Sequence, residues 1–461
     1  MKVSQILHLA MLIVVGAVLL RAEDSRWGHF QASGDALFSE GRYAEAQKAF
    51  EAAIGELKDV NATDLRRLQT MNALGMACQQ QGLLSQADAL YTQGLGLSKS
   101  LPEKDLEAKV SNNLAHLRNT QGRFVEAEAL YLHALGIQKK LSGERHPSVA
   151  ITLDNLAMLQ VGLGRYAEAE KNLLQALDMS QKAEGPEHPQ TLTKMNNLAY
   201  LYSRLGRYED SERLYRKVLA VRERALGTEH LSVATTRNNL GDVLRLQGRY
   251  PVAERLYRRA LRTIERTLGL EHPRTASMLN NLAIISRTQG RLSQAEDFYL
   301  RAIAVIEKSF GAEHASLGMP LMNLAELYIQ SQRFGEADRF HQRALTVLEK
   351  ALGPNHVEIA LAMFSMAGGY RAQRRYDEAE PLFQRALDMT EKTLGPDHPQ
   401  VARTLVGYAA LLRATKRKNE AGMLEQRAKA IASNRGAATA AGALTVDYGG
   451  LRDSALREQG R

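Results

Sequence analysis

Apolar side chains recur along the chain at the spacing of an amphipathic helix. In the segment 147–185 they occupy positions i, i+3, i+4 and i+7 of a first helix, and a second apolar stripe follows after a Gly-Arg-Tyr turn at 164–166. The inward positions are Leu153, Leu156, Ala157 and Gln160 in the first helix, and Ala169, Leu173 and Ala176 in the second. The pattern predicts a helical hairpin that begins near Pro147 and is closed by Gly185.

The hairpin pattern repeats with a period of 42 residues. One histidine per period marks the repeat: His146, His188, His230, His272, His314, His356 and His398. The Gly-Arg-aromatic turns and the Asn-Leu pairs keep the same spacing. A fixed period of this length is typical of a solenoid in which each unit stacks on its neighbours.

The repeat resembles the tetratricopeptide family. The matching residues are Leu156, Ala157, Gly164, Tyr166, Ala169, Leu173 and Ala176. The 42-residue period, the Gly-x-x-His-Pro loops and the Asn-Asn-Leu-Ala helices are similar to the kinesin-light-chain-like subclass. The resemblance implies an all-α fold, a right-handed superhelical solenoid of about ten helical hairpins. The expected turns lie near Gly41, Gly82, Gly122, Gly164, Gly206, Gly248, Gly290, Gln332, Arg374 and Lys416.

Four segments are predicted along the chain. Residues 1–22 form a signal peptide, or an N-terminal anchor if they are not cleaved. Residues 23–110 hold irregular N-terminal units, residues 111–432 hold the regular array, and residues 433–461 form a flexible Ala/Gly-rich tail.

The first residues predict export. Met1-Lys2 is a short basic start, Ile6 to Leu20 is apolar except for His8, and the polar stretch that follows begins after Leu20. Fifteen apolar residues are short for a membrane span but suit a secretory signal, with Ala22 as the residue before the cut. We therefore expect a periplasmic or secreted protein, anchored in the envelope if the signal is retained.

Two neighbouring columns of asparagine run along the outer side of the first helices. Asparagine is a poor residue in mid-helix, so its recurrence needs a cause. The columns contain Asn112, Asn113, Asn155, Asn196, Asn197, Asn238, Asn239, Asn280, Asn281 and Asn323. In kinesin-light-chain-like repeats such asparagines are held to clamp a peptide backbone, and a carboxamide has the donors and acceptor for it. The alternative is that one column hydrogen-bonds between neighbouring helices and holds the stack.

A third column supplies candidate specificity residues. It contains Tyr200, and Arg245, Arg287 and Arg371 lie one turn further on. Guanidinium groups suit partner carboxylates, whereas the alternative is a solvated face with ordinary charges. Further along the array, Met322, Phe364, Val406 and Ala409 predict a more apolar groove that could take an anchoring side chain.

Composition and charge narrow the function classes. The net charge of +9 is a mild excess over 461 residues, and no basic block or interleaved aromatic pattern indicates nucleic acid. No catalytic motif is present, so no enzyme, catalytic residue or cofactor is predicted. The phased histidines lie one per unit at helix starts, where they suit a loop-closing cap and cannot together ligate a metal.

The predicted function is that of a non-enzymatic scaffold. It would bind a protein or peptide segment in the concave groove, with acidic side chains suiting the arginines. Membrane contact is expected only through an uncleaved N-terminal segment. The alternative function is a structural or assembly solenoid of the cell envelope without a groove ligand, and binding of glycans would require groove aromatics beyond Tyr200.

Overall fold

The computed structural model describes residues 26–61 and 64–433, and these form α-helices joined by short loops. Within those ranges twenty α-helices follow one another in ten pairs, no residue is in a β-strand, and one 3-10 turn (Ala315–Leu317) precedes α15. The helices are α1 26–39, α2 Tyr43–Gly55, α3 Leu65–Gln80, α4 Leu84–Ser98, α5 Lys104–Thr120, α6 Phe124–Ser142, α7 Pro147–Gly162, α8 Tyr166–Glu184, α9 Pro189–Arg204, α10 Tyr208–Leu226, α11 Leu231–Leu246, α12 Tyr250–Leu268, α13 Pro273–Thr288, α14 Leu292–Phe310, α15 Gly318–Gln330, α16 Phe334–Leu352, α17 Val357–Ala372, α18 Tyr376–Leu394, α19 Pro399–Ala414 and α20 Lys418–Ser433. The predicted all-α array of about ten hairpins is confirmed.

The chain divides into two compact units, one up to Leu159 and one from Gln160 onward. The first unit has a core built around Phe50, Tyr91 and Leu117. The core of the second unit is larger and includes Tyr257 and Tyr299 among many leucine, alanine and isoleucine side chains. The predicted boundary at residue 110 concerns a change in repeat regularity rather than compactness, and it stays a prediction.

From α5 to α18, each hairpin pairs a shorter first helix with a longer second helix. In the regular repeats the first helix has 16 residues and the second has 19, as in α9 and α10. The second helix inserts a large side chain against a small residue of the first. At Gly241 an added Cβ would lie 2.6 Å from Cε1 of Tyr257, so only glycine leaves room for this fully buried ring. This complementarity explains the alternation of alanine or glycine with tyrosine in the repeat.

The turn inside each hairpin requires a left-handed residue. Gly206 and Gly248 have φ of 74° and 75°, which glycine adopts without a steric cost. The last three turns have the same backbone conformation without glycine: the φ angles of Gln332, Arg374 and Lys416 are 57°, 62° and 67°. The predicted turn positions are therefore confirmed, and in the last three hairpins stacking imposes a conformation that the residues disfavour.

The phased histidines cap the first helices, as predicted. In each case Nδ1 accepts a hydrogen bond from the backbone N–H two residues on, at 3.0 Å for His398 and 3.3 Å for His188. The same bond occurs at His146, His230, His272, His314 and His356. An accepting Nδ1 requires the neutral ring with its proton on Nε2. Burial lowers the pKa of His272 and of His314, which favours this neutral form.

A ladder of ion pairs joins successive hairpins at the turns. At the six turns from Arg207 to Arg417, the turn arginine reaches an acidic side chain 37 residues earlier, on the second helix of the preceding hairpin. The nitrogen–oxygen distances are 2.8 Å for Arg207–Glu170, 2.8 Å for Arg249–Glu212, 2.7 Å for Arg291–Glu254, 2.8 Å for Arg333–Glu296 and 2.7 Å for Arg417–Glu380. Arg375 pairs with Asp338 in the same way. We call these pairs the turn ladder.

Two predicted segments fall outside the described residues. They are the signal at 1–22 and the tail at 433–461, of which only Ser433 is described, as the last residue of α20. Among the residues that are described, no helix has both the length and the apolar character needed to cross a bilayer.

Candidate peptide-binding face

The first helices of successive hairpins lie side by side in the second unit. Contacts join α9 to α11, α13 to α15, α15 to α17 and α17 to α19. Their side chains that do not pack inward form a shared surface. We call this surface, carried by α9, α11, α13, α15, α17 and α19, the A-helix face.

The asparagine columns form hydrogen-bonded steps between neighbouring first helices. In the second unit the Nδ2 of a second-column asparagine donates to the Oδ1 of the first-column asparagine in the preceding hairpin. The donor–acceptor distances are 3.2 Å for Asn239–Asn196, 2.8 Å for Asn281–Asn238 and 3.0 Å for Asn323–Asn280. The first unit contains equivalent bonds, Asn113–Asn72 at 2.9 Å and Asn155–Asn112 at 3.2 Å. These bonds support the alternative in which the asparagines hold the stack.

The asparagines retain capacity for a further partner. The ten predicted asparagines are half-buried, so part of each carboxamide remains accessible. Each step uses one of the two N–H groups of its donor and one lone pair of its acceptor. Each step thus leaves one N–H of the donor carboxamide and one lone pair of the acceptor outside this hydrogen bond.

Asp242 lies in the third column of the A-helix face and is held by a tyrosine of the core. The Tyr257 hydroxyl donates to Asp242 Oδ1 at 2.6 Å. Burial raises the pKa of Asp242, while the Tyr257 hydrogen bond and the charge of Arg245 oppose the rise. A carboxylate and an arginine thus share this part of the face.

Further along the face, Glu326 is the centre of a larger polar cluster. The Ser365 hydroxyl donates to Glu326 Oε1 at 2.9 Å, and His341 Nε2 lies 3.0 Å from the Ser365 oxygen. Because Ser365 donates to Glu326, the His341 N–H is the group that donates to Ser365. The charges of Arg287, Arg403 and Arg371 act on Glu326, with Arg287 the strongest. We call these residues the Glu326 cluster: Glu326, His341, Ser365, Arg287, Arg371 and Arg403.

Burial shapes the protonation of this cluster. It raises the pKa of Glu326, against the opposing effects of the arginines and of Ser365. It lowers the pKa of His341 to about 4, so the ring is neutral near pH 7. The Nε atoms of Arg287, Arg371 and Arg403 are buried, and none of the three has a hydrogen-bond partner among the described residues. The cluster therefore combines a titratable carboxyl group with unused guanidinium donors.

Comparison with known families identifies the repeat. One tetratricopeptide repeat model matches residues 106–182, 161–224, 190–266, 232–308, 274–350, 316–387 and 358–434, and another matches residues 30–56. The chain belongs to the tetratricopeptide repeat family. The predicted resemblance to its kinesin-light-chain-like kind is confirmed. No curated protein sequence matches the chain.

The solved structures that match this fold include two with a TM-score of at least 0.50 and a third with a lower score. A Rap protein complexed with competence and sporulation factor is 12% identical with a TM-score of 0.55, and covers 80% of this chain and 99% of its own. The apo form of the quorum sensor NprR from B. thuringiensis is 15% identical with a TM-score of 0.50, covering 81% and 99%. BtubC (BKLC) from P. vanneervenii is 24% identical with a TM-score of 0.40, covering 53% and 92%. At these identities the likeness concerns the fold.

The structure places the predicted face residues of the tetratricopeptide array as follows. Tyr200 is exposed, and Arg245, Arg287 and Arg371 are half-buried. The charges of Arg287 and Arg371 act on Glu326, whereas the charge of Arg245 acts on Asp242. Their role in binding stays a prediction.

The predicted apolar groove near the end of the array is wrong in three of its four residues. Met322, Phe364 and Ala409 are 7%, 3% and 0% exposed, so they belong to the core, and only Val406 is exposed. Phe364 packs edge-on against Phe383 with ring centroids 5.8 Å apart. Ala409 is equivalent to the inward Ala157, whereas Met322 and Phe364 are apolar residues at positions where earlier repeats have the half-buried Asn238 and Asn280.

Of the Glu326 cluster, sequence reasoning identified only Arg287 and Arg371 as candidate site residues. His341 occupies the position that holds Tyr215, Tyr257 and Tyr299 in earlier repeats. This departure from the repeat pattern could have been recognised in the sequence. Arg403 had no such signal, because its position holds Leu361 and Met319 in the two preceding repeats. Its guanidinium carbon lies 5.1 Å from the Phe364 ring centroid, which directs the side chain along the face.

Proposed function

We propose that the chain is a non-enzymatic scaffold that binds an extended, acidic peptide segment along the A-helix face. The observation that carries the proposal is the set of buried arginine Nε atoms at Glu326 that lack a partner within the described residues. An unsatisfied buried donor is costly, and a partner carboxylate would satisfy it. The half-buried asparagines would supply backbone contacts that do not depend on peptide sequence.

Comparison with a solved relative supports this proposal at the level of the fold. The Rap structure is a complex with competence and sporulation factor, so a helical-hairpin array of this kind can hold a factor. The composition of the face supplies the finer argument, since arginine favours carboxylates over neutral partners.

A binding screen tests the proposal. The chain from residue 23, which keeps every described residue, is immobilised and panned against a random peptide library. We expect a shared motif with acidic residues. The Arg245/Arg287/Arg371→Ala variant should lose that enrichment, whereas Arg207/Arg249/Arg291→Ala should keep it. The second variant removes the same number of arginines from the turn ladder and so controls for net charge. Equal enrichment on both variants contradicts the proposal.

A structural role is the second candidate. The Asn–Asn steps and the turn ladder both join neighbouring hairpins, so they favour a solenoid that serves chiefly as a spacer. Under this candidate the panned chain enriches no motif. Chemical cross-linking in the native host would then recover envelope components through other surfaces of the array.

We also propose that the protein is exported by the signal at residues 1–22. The apolar stretch from Ile6 to Leu20 supports this proposal. N-terminal sequencing of the protein recovered from a periplasmic fraction should read from Glu23. Recovery of the chain with Met1 in a membrane fraction would support the anchored alternative, and recovery from the cytosol would reject export.

A further inference from the structure

Four departures from the repeat occur together in the C-terminal half of the second unit. Compared with the preceding repeat, Ile284 becomes Glu326, Tyr299 becomes His341, Asn323 becomes Ser365 and Leu327 becomes Gly369. The residues lie far apart in sequence, yet three of them form one hydrogen-bonded chain from His341 through Ser365 to Glu326. Independent drift would not be expected to build a connected chain.

The fourth departure makes the other three fit. A Cβ added at Gly369 would lie 3.1 Å from Cε1 of His341 and 2.8 Å from Cδ1 of Ile329. The leucine found at this position one repeat earlier would therefore displace the imidazole. Gly369 lets the His341 ring lie 2% exposed with its Nε2 directed at Ser365. The chain of hydrogen bonds then holds Glu326 at the surface of the face.

Charged and titratable groups surround Glu326 on every helix that faces it. Arg287 lies on α13, Tyr299 on α14, His341 on α16, Arg371 on α17 and Arg403 on α19. Tyr299 is protonated near pH 7, since burial raises its pKa to about 12, and His341 is neutral. The charges of three arginines therefore act on one carboxylate, and the buried Nε atoms of these arginines have no partner among the described residues. Protonation of Glu326 leaves their charge for a ligand.

A ligand anion and the Glu326 carboxylate compete for the same guanidinium groups. An anion placed among the arginines repels ionised Glu326, and the repulsion is removed when Glu326 takes up a proton. Ser365 can accommodate either state, because its hydroxyl donates to a carboxylate and can accept from a carboxylic acid. Binding of an anion and binding of a proton thus favour each other.

We propose that an acidic segment binds the arginines of the Glu326 cluster together with one proton, which Glu326 takes up. This inference rests on the proposed function of the A-helix face and adds its regulation: the scaffold holds an acidic partner more tightly as the surroundings become acidic. Glu326 is the proton acceptor, and Ser365 and His341 position it.

The test uses a probe whose own charge does not change with pH. A peptide of six cysteic acids carrying a tetramethylrhodamine label keeps its sulfonates ionised, and its binding to the chain from residue 23 is followed by fluorescence anisotropy at constant ionic strength. We expect binding to be about tenfold tighter at about pH 5.5 than at about pH 7.5, within the limit that one linked proton sets. Circular dichroism at both pH values checks that the helices persist.

Two variants assign the effect. Glu326→Gln mimics the protonated state, so it should bind at either pH as tightly as the parent chain does in acid. Glu358→Gln is the matched control: Glu358, in the first turn of α17, is a carboxyl group outside the Glu326 cluster with a pKa raised by burial, and this variant should keep the pH dependence. Equal parent affinity at both pH values, or an unchanged pH dependence in Glu326→Gln, overturns the inference.

The same experiment separates this inference from the proposed function. A chain that enriches library peptides but ignores the cysteate probe overturns the proton-linked site alone. A chain that binds neither the library nor the probe overturns both proposals.

Discussion

The regular hairpins from α9 to α14 and the hairpin α15–α16 with its neighbour α17 share one backbone plan but differ on one surface. Both regions keep the histidine caps and the turn ladder, for example at Arg291–Glu254 and Arg375–Asp338. In α9 to α14 the A-helix face carries the asparagine steps and the core carries tyrosine. Asn323 on α15 still donates to Asn280, but Ser365 replaces the next asparagine of that column and His341 replaces the core tyrosine.

The difference shows which parts of a repeat are free to change. Contacts that stack one hairpin on the next recur in both regions because losing one would weaken two interfaces at once. Side chains on the A-helix face contribute less to the stacking of the hairpins. The departures from the repeat pattern occur at this face. A binding surface on an otherwise uniform array requires residues that differ from the repeat pattern and lie together. The departures at the Glu326 cluster meet this requirement.

The largest effect should come from emptying the core of a regular hairpin. Tyr257→Ala removes a fully buried ring that fills the space left by Gly241, and it should destabilise the array by about 4 kcal/mol. Urea unfolding followed by circular dichroism measures the loss. Tyr257→Phe keeps the ring and removes only the bond to Asp242, so it should cost about 1–2 kcal/mol. Similar costs for the two variants would show that the hydroxyl, not the packing, dominates.

A smaller, pH-dependent effect should mark the departing hairpin. Burial lowers the folded-state pKa of His341 to about 4, below the value of about 6.5 in an unfolded chain. The neutral ring therefore stabilises the fold above about pH 6.5, and this contribution of about 3 kcal/mol is lost as the pH falls towards 4.

Isolating the His341 effect requires a background in which Glu326 does not titrate. Burial raises the pKa of Glu326, so its protonation stabilises the fold on acidification and opposes the effect of His341. Urea titration gives the free energy of unfolding at each pH. On acidification this free energy should fall more for Glu326→Gln than for Glu326→Gln/His341→Phe. Phenylalanine suits the site because Phe383 occupies the equivalent position one repeat later. Parallel pH profiles for the two variants would mean that the pKa of His341 is the same in the folded and the unfolded chain, which contradicts the prediction.

The turns offer a stabilising change of about 1 kcal/mol. Gln332 holds a left-handed conformation with φ of 57°, where the earlier turns have glycine. Gln332→Gly removes the steric cost and should raise the free energy of unfolding by about 1 kcal/mol. The reverse change, Gly248→Gln, should lower it by a similar amount. If Gln332→Gly is neutral or destabilising, the side chain makes a contact that offsets its backbone strain.

The smallest expected effect is the coupling within one asparagine step. A double-mutant cycle on Asn196 and Asn239, with alanine at each, should give a coupling free energy of about 0.5–1 kcal/mol from the 3.2 Å bond. Alanine is the better helix former, so each single variant should show a smaller net loss than the coupling. A coupling free energy near zero would show that this asparagine pair does not stabilise the stack. Peptide contact would then be the remaining explanation for the recurrence of asparagine.

Parts of the candidate site followed from the sequence and parts did not. Arg287 and Arg371 were found because they share a column one turn beyond the third column, which contains Tyr200. Arg403 was not, because it lies in another column and reaches Glu326 from α19. Met322 and Phe364 were placed on the groove by the helical period, yet both are buried. A helical wheel gives the angle of a side chain around its own helix, whereas burial depends on which neighbour lies at that angle.

By itself the sequence determined the number of hairpins, the turns, the histidine caps and the inward apolar stripe. These features depend on local geometry and on a period that never slips, so one repeat predicts the next. Only the tertiary structure decided that Asn281 bonds Asn238, and that five helices bring Glu326, His341, Ser365 and three arginines together. The hydrogen bonds among these residues span from 24 to 43 positions, and their partners depend on how each hairpin is rotated against the next.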